Sequence, residues 1–361
     1  MLKSRRLFIA VAALAAMVLT ACGTSSKSLT TAVARQAATT SPANTSPSRA
    51  AAPADAKPLK FLVLMSGPAT DGGFYQAMVD ALRSAATKDG HITVNVLDNL
   101  GTGGDAALDN AVREGASGGE YDLIVAHGFD IVPSVAKFAP QFPKQDFATS
   151  LPVQGNPPNV EAYISVFEEI GYVAGFLAAQ GTTGNKIGFI GGPGLDFEKS
   201  AESGFRQAVT KYAPSAKVTA VYTGGFDDAQ LAQEATKQMI DDGIDSIWNQ
   251  QAAGQSGAYT ACATAPKVNC FGNSQFSEAV NPSTVLASSV SDYSILVPDW
   301  AARLRAGKWE IGPDMLNLRN GGITLTDATA AGKAKLPSLQ KAIDQFKADA
   351  TAGQIVVAPA S

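Results

Sequence analysis

FLVLMSGPATDGGFYQAM, from Phe61 to Met78, is an apolar run that stops at Ser66-Gly67-Pro68 and resumes after Asp71-Gly72-Gly73 with a different period. FLVLM is continuous and bounded by turn residues, the pattern of a strand buried on both faces of a parallel sheet. After Gly73, Phe74, Met78, Ala81, Leu82 and Ala85 recur at helical spacing. The stretch predicts one β-loop-α unit, with its loop at the carboxyl end of the strand, where open α/β sheets hold their ligands.

Outward from it the same alternation continues. A strand is expected near Thr93 to Leu97, then the Gly-rich loop NLGTGGD and a helix capped by Asp105. YDLIVAHG supplies a third strand, Val132 to Phe138 a helix ended by Pro140, and Asp146 to Thr149 a short fourth strand. Val160 to Val166 reads as a strand, and Phe167 to Gln180 as a helix with small residues (Gly171, Ala174, Gly175, Ala178) along one side. KIGFIGG then starts the series afresh, and the helix-strand pattern repeats through Val268 to Gly272. A helix from Tyr293 to Ala306 and a final helix from Leu336 to Gly353 complete the series. Two successive sets of β-α units, each of roughly 100 residues, predict two Rossmann-like lobes in an α/β chain. The chain is expected to cross between them more than once, with residues 59–165 plus 278–320 in one lobe and 166–277 plus 321–361 in the other.

The amino-terminal segment reads differently. Lys3, Arg5 and Arg6 precede the apolar run LFIAVAALAAMVL and small residues before Cys22, the pattern of an export leader over residues 1–21. Thirteen apolar residues fall short of the about 20 that span a bilayer. LTAC followed by Gly23 resembles a lipobox, which implies lipidation of Cys22 and a tether on the outer face of the cell membrane, or in the periplasm. Residues 22–58 are Ala, Ser, Thr and Pro with almost no large apolar residue, and are expected to form a flexible stalk. Removing the leader's three positive charges takes the formal charge from −4 to −7, which offers no electrostatic footprint for nucleic acid. Cys262 and Cys270 remain, with seven residues between them, in an oxidising compartment; a bridge is expected, with two buried thiols as the alternative.

Catalytic chemistry finds few groups to use. Only His91 and His127 offer imidazole, no Gly-x-Ser-x-Gly is present, and GGPGLDF places Phe197 where the third glycine of a dinucleotide fingerprint belongs. No Walker sequence and no Cys-x-x-Cys occurs, so neither an enzyme, nor a cofactor, nor a metal centre is expected. The acidic pairs Glu168-Glu169, Asp227-Asp228 and Asp241-Asp242 read as helix-end or solvated charges.

What the chain does place at strand ends is aromatic and amide chemistry. Asp71, Phe74, Tyr75 and Gln76 follow the first strand, His127, Gly128 and Phe129 the third, and Ser150 the fourth. In the second half Phe197 follows the first strand, Trp248, Asn249 and Gln250 close another, and Asn273 follows Phe271. Rings stack and amides hold donor and acceptor edges, so such a set suits a flat, polar, uncharged molecule.

These segments resemble the basic membrane protein family, the substrate-binding lipoproteins that include purine nucleoside receptors. The likeness rests on KIGFIGGPGLDFEKSAESGFRQAV, on Tyr222, Gly224, Phe226 and Asp228, and on Gly243 with Asp245 before a strand. Glu169, Tyr172, Ala174, Gly175 and Ala178 add to it, and together they cover most of Lys60 to Gly312. The resemblance implies a type I periplasmic binding fold, two lobes joined by a multi-strand hinge, delivering a small ligand to an ABC permease. It implies purine nucleosides as ligand, with Asp71 and Phe74 in the family's motif after the first strand and Phe74 stacking on the base. From the strand ends, Phe197 or Trp248 is expected as a second aromatic, and Asp71, Asn249, Gln250 and Asn273 as hydrogen-bonding groups. Tyr75 stands where the family commonly has asparagine, and Ser150 and Asn273 stand where aspartate is usual. A monomer is expected; a ligand-sensing receptor subunit and a binder of another solute, such as a sugar, stay open as alternatives.

Overall fold

In the computed structural model, which describes residues 56–309 and 314–360, the opening run is strand β1 (Leu59–Met65) and the helical repeat is α1 (Phe74–Asp89). Alternate residues of β1 serve two cores. Phe61, Val63 and Met65 join Met78, Val79 and Leu82 of α1, whereas Leu62 and Leu64 join residues of α2 (Gly104–Ser117) and α3 (Val132–Phe138). Burial on both faces is why the run is unbroken rather than alternating.

β1 lies between β2 (Ile92–Leu97) and β3 (Leu123–His127), and β4 (Phe147–Thr149) and β5 (Val160–Ser165) extend the sheet, every pairing parallel. The second half repeats this order with β6 (Lys186–Gly191), β7 (Lys217–Tyr222), β8 (Ser246–Asn249), β9 (Asn269–Gly272) and β10 (Val285–Ser291). Two late strands finish the edges, β11 (Asp314–Leu316) beside β5 and β12 (Ile323–Leu325) antiparallel to β10. The sheets therefore read β11-β5-β4-β3-β1-β2 and β12-β10-β9-β8-β6-β7, one topology used twice. α4 (Phe167–Gly181) leads from β5 into the second lobe, between whose strands run α5 (Asp196–Tyr212), α6 (Ala229–Asp241), α7 (Gln255–Ala263) and α8 (Ser277–Val280). α9 (Val297–Ala306) precedes β11, and α10 (Ala330–Lys335) and α11 (Leu339–Thr351) follow β12.

The chain crosses between the sheets three times, from β5 to α4, after β10, and from β11 to β12. The second crossing comes later than residue 278. β10 pairs with β9 and belongs to the second sheet, because VLASSVS is a buried strand that extends that parallel ladder. The return to the first lobe falls at Ser291 to Tyr293 instead. The crossings are tied together: Val166 N–H donates to Leu316 O at 2.9 Å and Asp292 N–H to Gly322 O at 2.8 Å.

α4 and α5 approach closely enough that a Cβ at Gly171 would meet the Ala201 backbone and one at Gly204 the Glu168 backbone. The small side of α4 thus allows the contact that sets Phe167 and Phe197 side by side, with ring centroids 4.7 Å apart. Proline explains two differences from expectation. Pro298 lies in the first turn of α9, after a short 3₁₀ turn at Tyr293–Ile295, and Pro337 sets the start of α11 at Leu339 rather than the expected Leu336, with the unexpected short α10 before it. α2 begins at Gly104, so Asp105 lies in its first turn, favourable to the helix dipole, rather than at its cap. Cys262 and Cys270 form a disulfide joining the end of α7 to β9. The expected leader, Cys22 and nearly all of the expected stalk fall in residues 1–55, outside the described residues. Among the described residues no helix is long and apolar enough to cross a membrane.

Candidate ligand-binding cleft

The carboxyl ends of both sheets face one cleft of about 650 Å³, within the range of small-molecule sites. Its lining comes from the ends of and turns after β1, β2, β3, β4 and β5 in the first lobe and after β6, β7, β8, β9 and β10 in the second. The lobes touch across it. Phe129 and Phe226 meet edge to face at 5.8 Å, and Gln255 Nε2 donates to the Asp71 carbonyl at 3.3 Å.

Phe74 is the first wall. It opens α1, and 37% of it is exposed toward the cleft region while its ring stacks on His127 at 3.8 Å between centroids. His127 is wholly buried behind it, with Nε2 3.0 Å from the Phe74 carbonyl and Nδ1 2.7 Å from the Tyr163 hydroxyl. Burial pushes the His127 pKa down to about 3, so the ring is neutral at physiological pH. Tyr75, also lining the cleft, shares a 3.2 Å hydrogen bond with Ser66, and burial holds its phenol well above the ordinary range.

Of the residues expected at the site, Phe74, Tyr75, Phe129, Ser150, Phe197, Trp248, Gln250 and Asn273 line the cleft. Asp71, Gln76, His127, Gly128 and Asn249 do not. Asp71 turns inward to accept the N–H groups of Gly73 (2.8 Å), Tyr75 (3.3 Å) and Gln76 (3.0 Å), closing the start of α1. Burial raises its pKa and those three donors oppose the rise. Gln76 accepts from Gly72, Asn249 accepts from the Gln251 N–H, and Gly128 is bound to the Ser150 hydroxyl. Trp248 reaches the cleft only as floor: it is fully buried and its indole N–H donates to Gly272 O (2.9 Å) and Ser289 Oγ (3.2 Å).

Several lining residues lay outside the expected site set. Phe226 stacks on Phe197 at 6.0 Å, and Tyr163, Tyr293, Asp130, Asp227 and Gln251 join the wall. The strand-end position that nominated Phe74 and Phe197 also holds for Phe226, just beyond β7, and for Asp130, beyond β3. Tyr163 and Tyr293 carry no such signal, because one lies within β5 and the other belongs to a crossing.

The polar lining has one sign. Among the described residues, buried oxygens without a hydrogen-bond partner include Asp130 Oδ1, Gln250 Oε1, Gln251 Oε1 and Asn273 Oδ1. The orientation of two amides is fixed from the other end: Gln251 Nε2 donates to Thr223 Oγ1 and Gly225 O, and Asn273 Nδ2 donates to Gln251 O. Buried acceptors left open in this way are costly unless a ligand donates to them. Asp130 and Asp227 supply carboxylates, and among the described residues no Lys, Arg or His lines the cleft. The two loop amide clusters that suit an anion at a helix start are already filled from within, by Asp71 before α1 and by Glu198, which accepts from Gly192, Gly194 and Leu195.

Residues 59–351 match the sequence profile of the Bmp family, described as ABC transporter substrate-binding protein PnrA-like. The chain belongs to this family. It is 27% identical over 254 residues to the ABC transporter nucleoside-binding protein BmpA of Lactococcus lactis, covering 66% of this chain and 71% of that one. A purine-binding protein of Brucella abortus is 25% identical over 258 residues, 70% of each chain. Among solved structures, an ABC transporter solute-binding protein from Conexibacter woesei superposes with a TM-score of 0.70 at 28% identity, covering 83% of this chain and 98% of that one. The fold is accordingly the type I periplasmic binding fold, and the protein is a substrate-binding protein for small solutes of the Bmp family.

Proposed function

We propose that the solute is a purine nucleoside, held between the lobes and handed to an ABC permease by a protein anchored through Cys22 on the outer face of the cell membrane. The observation that carries this reading is the set of unpaired buried acceptors in an aromatic-walled cleft. A nucleoside brings a flat ring for Phe74 and the Phe197-Phe226 cluster, and hydroxyl and amine donors for the open oxygens. The absence of a lining cation among the described residues, and the filling of the amide clusters before α1 and α5 by Asp71 and Glu198, disfavour a phosphate on the same molecule. The names of the Lactococcus lactis and Brucella abortus relatives lend the same direction. Lobe closure would report occupancy to the permease, since a ligand touching both lobes binds the closed state preferentially.

A thermal-shift panel of nucleosides, free bases, sugars and amino acids tests the reading. A ligand present at 100 times its Kd stabilises the native state by about 2.7 kcal/mol, so a purine nucleoside should raise the melting temperature clearly. A shift with sugars or amino acids and none with nucleosides rejects it.

A further inference from the structure

We propose that His127, which never touches the cleft, is a specificity-determining residue: it commits the Tyr163 hydroxyl proton away from the ligand and backs the Phe74 ring. Phe74 O is a carbonyl and can only accept, so His127 Nε2, 3.0 Å away, carries the hydrogen. In a neutral imidazole the other nitrogen is then bare, and Nδ1 takes the hydrogen of the Tyr163 hydroxyl at 2.7 Å. Tyr163 lines the cleft and is left with lone pairs alone to offer.

Ser150, also lining, is held in the same way. Its hydroxyl donates to Gly128 O at 3.1 Å and accepts the Gly128 N–H at 3.2 Å. With the unpaired oxygens of Asp130, Gln251 and Asn273, these two hydroxyls give this part of the polar wall acceptor character. The neutral state of His127 is supported by its complete burial. The same ring stacks flat on Phe74, at an interplanar angle of 17°, so one side chain sets both the polarity of Tyr163 and the attitude of the aromatic wall. The choice of probe below rests on the nucleoside reading; the proton placement does not.

Two measurements test it. The chain has only two histidines, so a long-range ¹⁵N–¹H spectrum of the ¹⁵N-histidine-labelled protein is assigned by comparison with His127→Phe. His127 should appear as the Nε2–H tautomer and stay so from pH 8 to pH 5; an Nδ1–H or doubly protonated ring overturns the inference. Titration calorimetry then compares wild type, His127→Phe and Tyr163→Phe against adenosine, inosine and the 2′-, 3′- and 5′-deoxyfluoro analogues of adenosine, in which fluorine replaces a donor without changing shape. Wild type should lose at least tenfold in affinity at one position of this panel. Both variants should reduce the loss at that position to under threefold and leave the other positions unchanged. An unchanged profile in the variants overturns the inference. Should His127→Phe not fold, Tyr163→Phe carries the comparison. Failure of wild type to bind any member of the panel rejects the nucleoside reading, and the tautomer alone then decides on His127.

Discussion

Phe74 presents one ring face toward the cleft because His127 fills the space against the other, and this pairing is the smallest unit of the proposed function. Phe74→Ala removes the stacking surface and should weaken nucleoside binding at least tenfold, about 1.4 kcal/mol, in a calorimetric titration. Unchanged affinity would remove Phe74 from the site. Asp71 presents the opposite case, since the strand-end logic that picks Phe74 picks it too. Its carboxylate instead satisfies three backbone N–H groups. Asp71→Ala should therefore lower stability by about 0.5–2 kcal/mol in denaturant unfolding, the usual loss of a helix cap, more than it alters the ligand contacts. Sequence spacing locates the loop that forms a site. It does not say which side chains of the loop turn outward, because that depends on backbone donors and neighbours visible only in three dimensions. Trp248 and Asn249 illustrate the same gap: both close strand β8, and both spend polar groups on protein partners rather than on the cleft.

At the scale of elements the sequence was more informative, since continuous apolar runs and helical periods are local. β1, α1 and their counterparts β6 and α5 follow directly from Phe61 to Met78 and Lys186 to Tyr212. The switch of lobe after β10 was not legible, because a buried strand has the same composition in either sheet and only pairing with β9 distinguishes them. The hinge also carries a titration that the pattern of charges does not announce. Glu169 on α4 accepts the N–H of Leu318 from the third crossing, and burial, with Glu168 beside it, raises its pKa to about 7. The folded state thus holds this proton more tightly than the unfolded chain does. Its contribution favours folding most below the ordinary carboxylate pKa and is lost as pH rises through about 7. Glu169→Gln keeps an acceptor for Leu318 and removes the titration. Melting curves from pH 5 to pH 8 should fall less steeply for the variant than for wild type, and parallel curves would show that Glu169 is not the group involved.

The whole molecule is one topology used twice, with three crossings between the copies and the cleft at the facing strand ends. Closure is written into the opening segment itself. Gly72 has φ +70°, and a Cβ there would sit 2.5 Å from Val280 Cγ2; one on Gly73 would sit 2.8 Å from Gln255 Nε2. Gln255 is fully buried at this contact, its Oε1 held by Tyr259 (3.0 Å) and Ser277 (3.1 Å). Gly73→Ala should therefore speed ligand dissociation several-fold in stopped-flow fluorescence, because the added Cβ would press on Gln255 Nε2 where the lobes meet. An unaltered dissociation rate would mean that this contact does not contribute to closure.

Calorimetric titration of the protein with adenosine, inosine and guanosine, each beside its 5′-monophosphate, tests the central claim most directly. The cleft described above predicts one-to-one binding of at least one nucleoside at about 1 μM or tighter, about −8.2 kcal/mol, with its monophosphate at least tenfold weaker. Monophosphates that bind as tightly as their nucleosides, or no heat from any nucleoside, would contradict it.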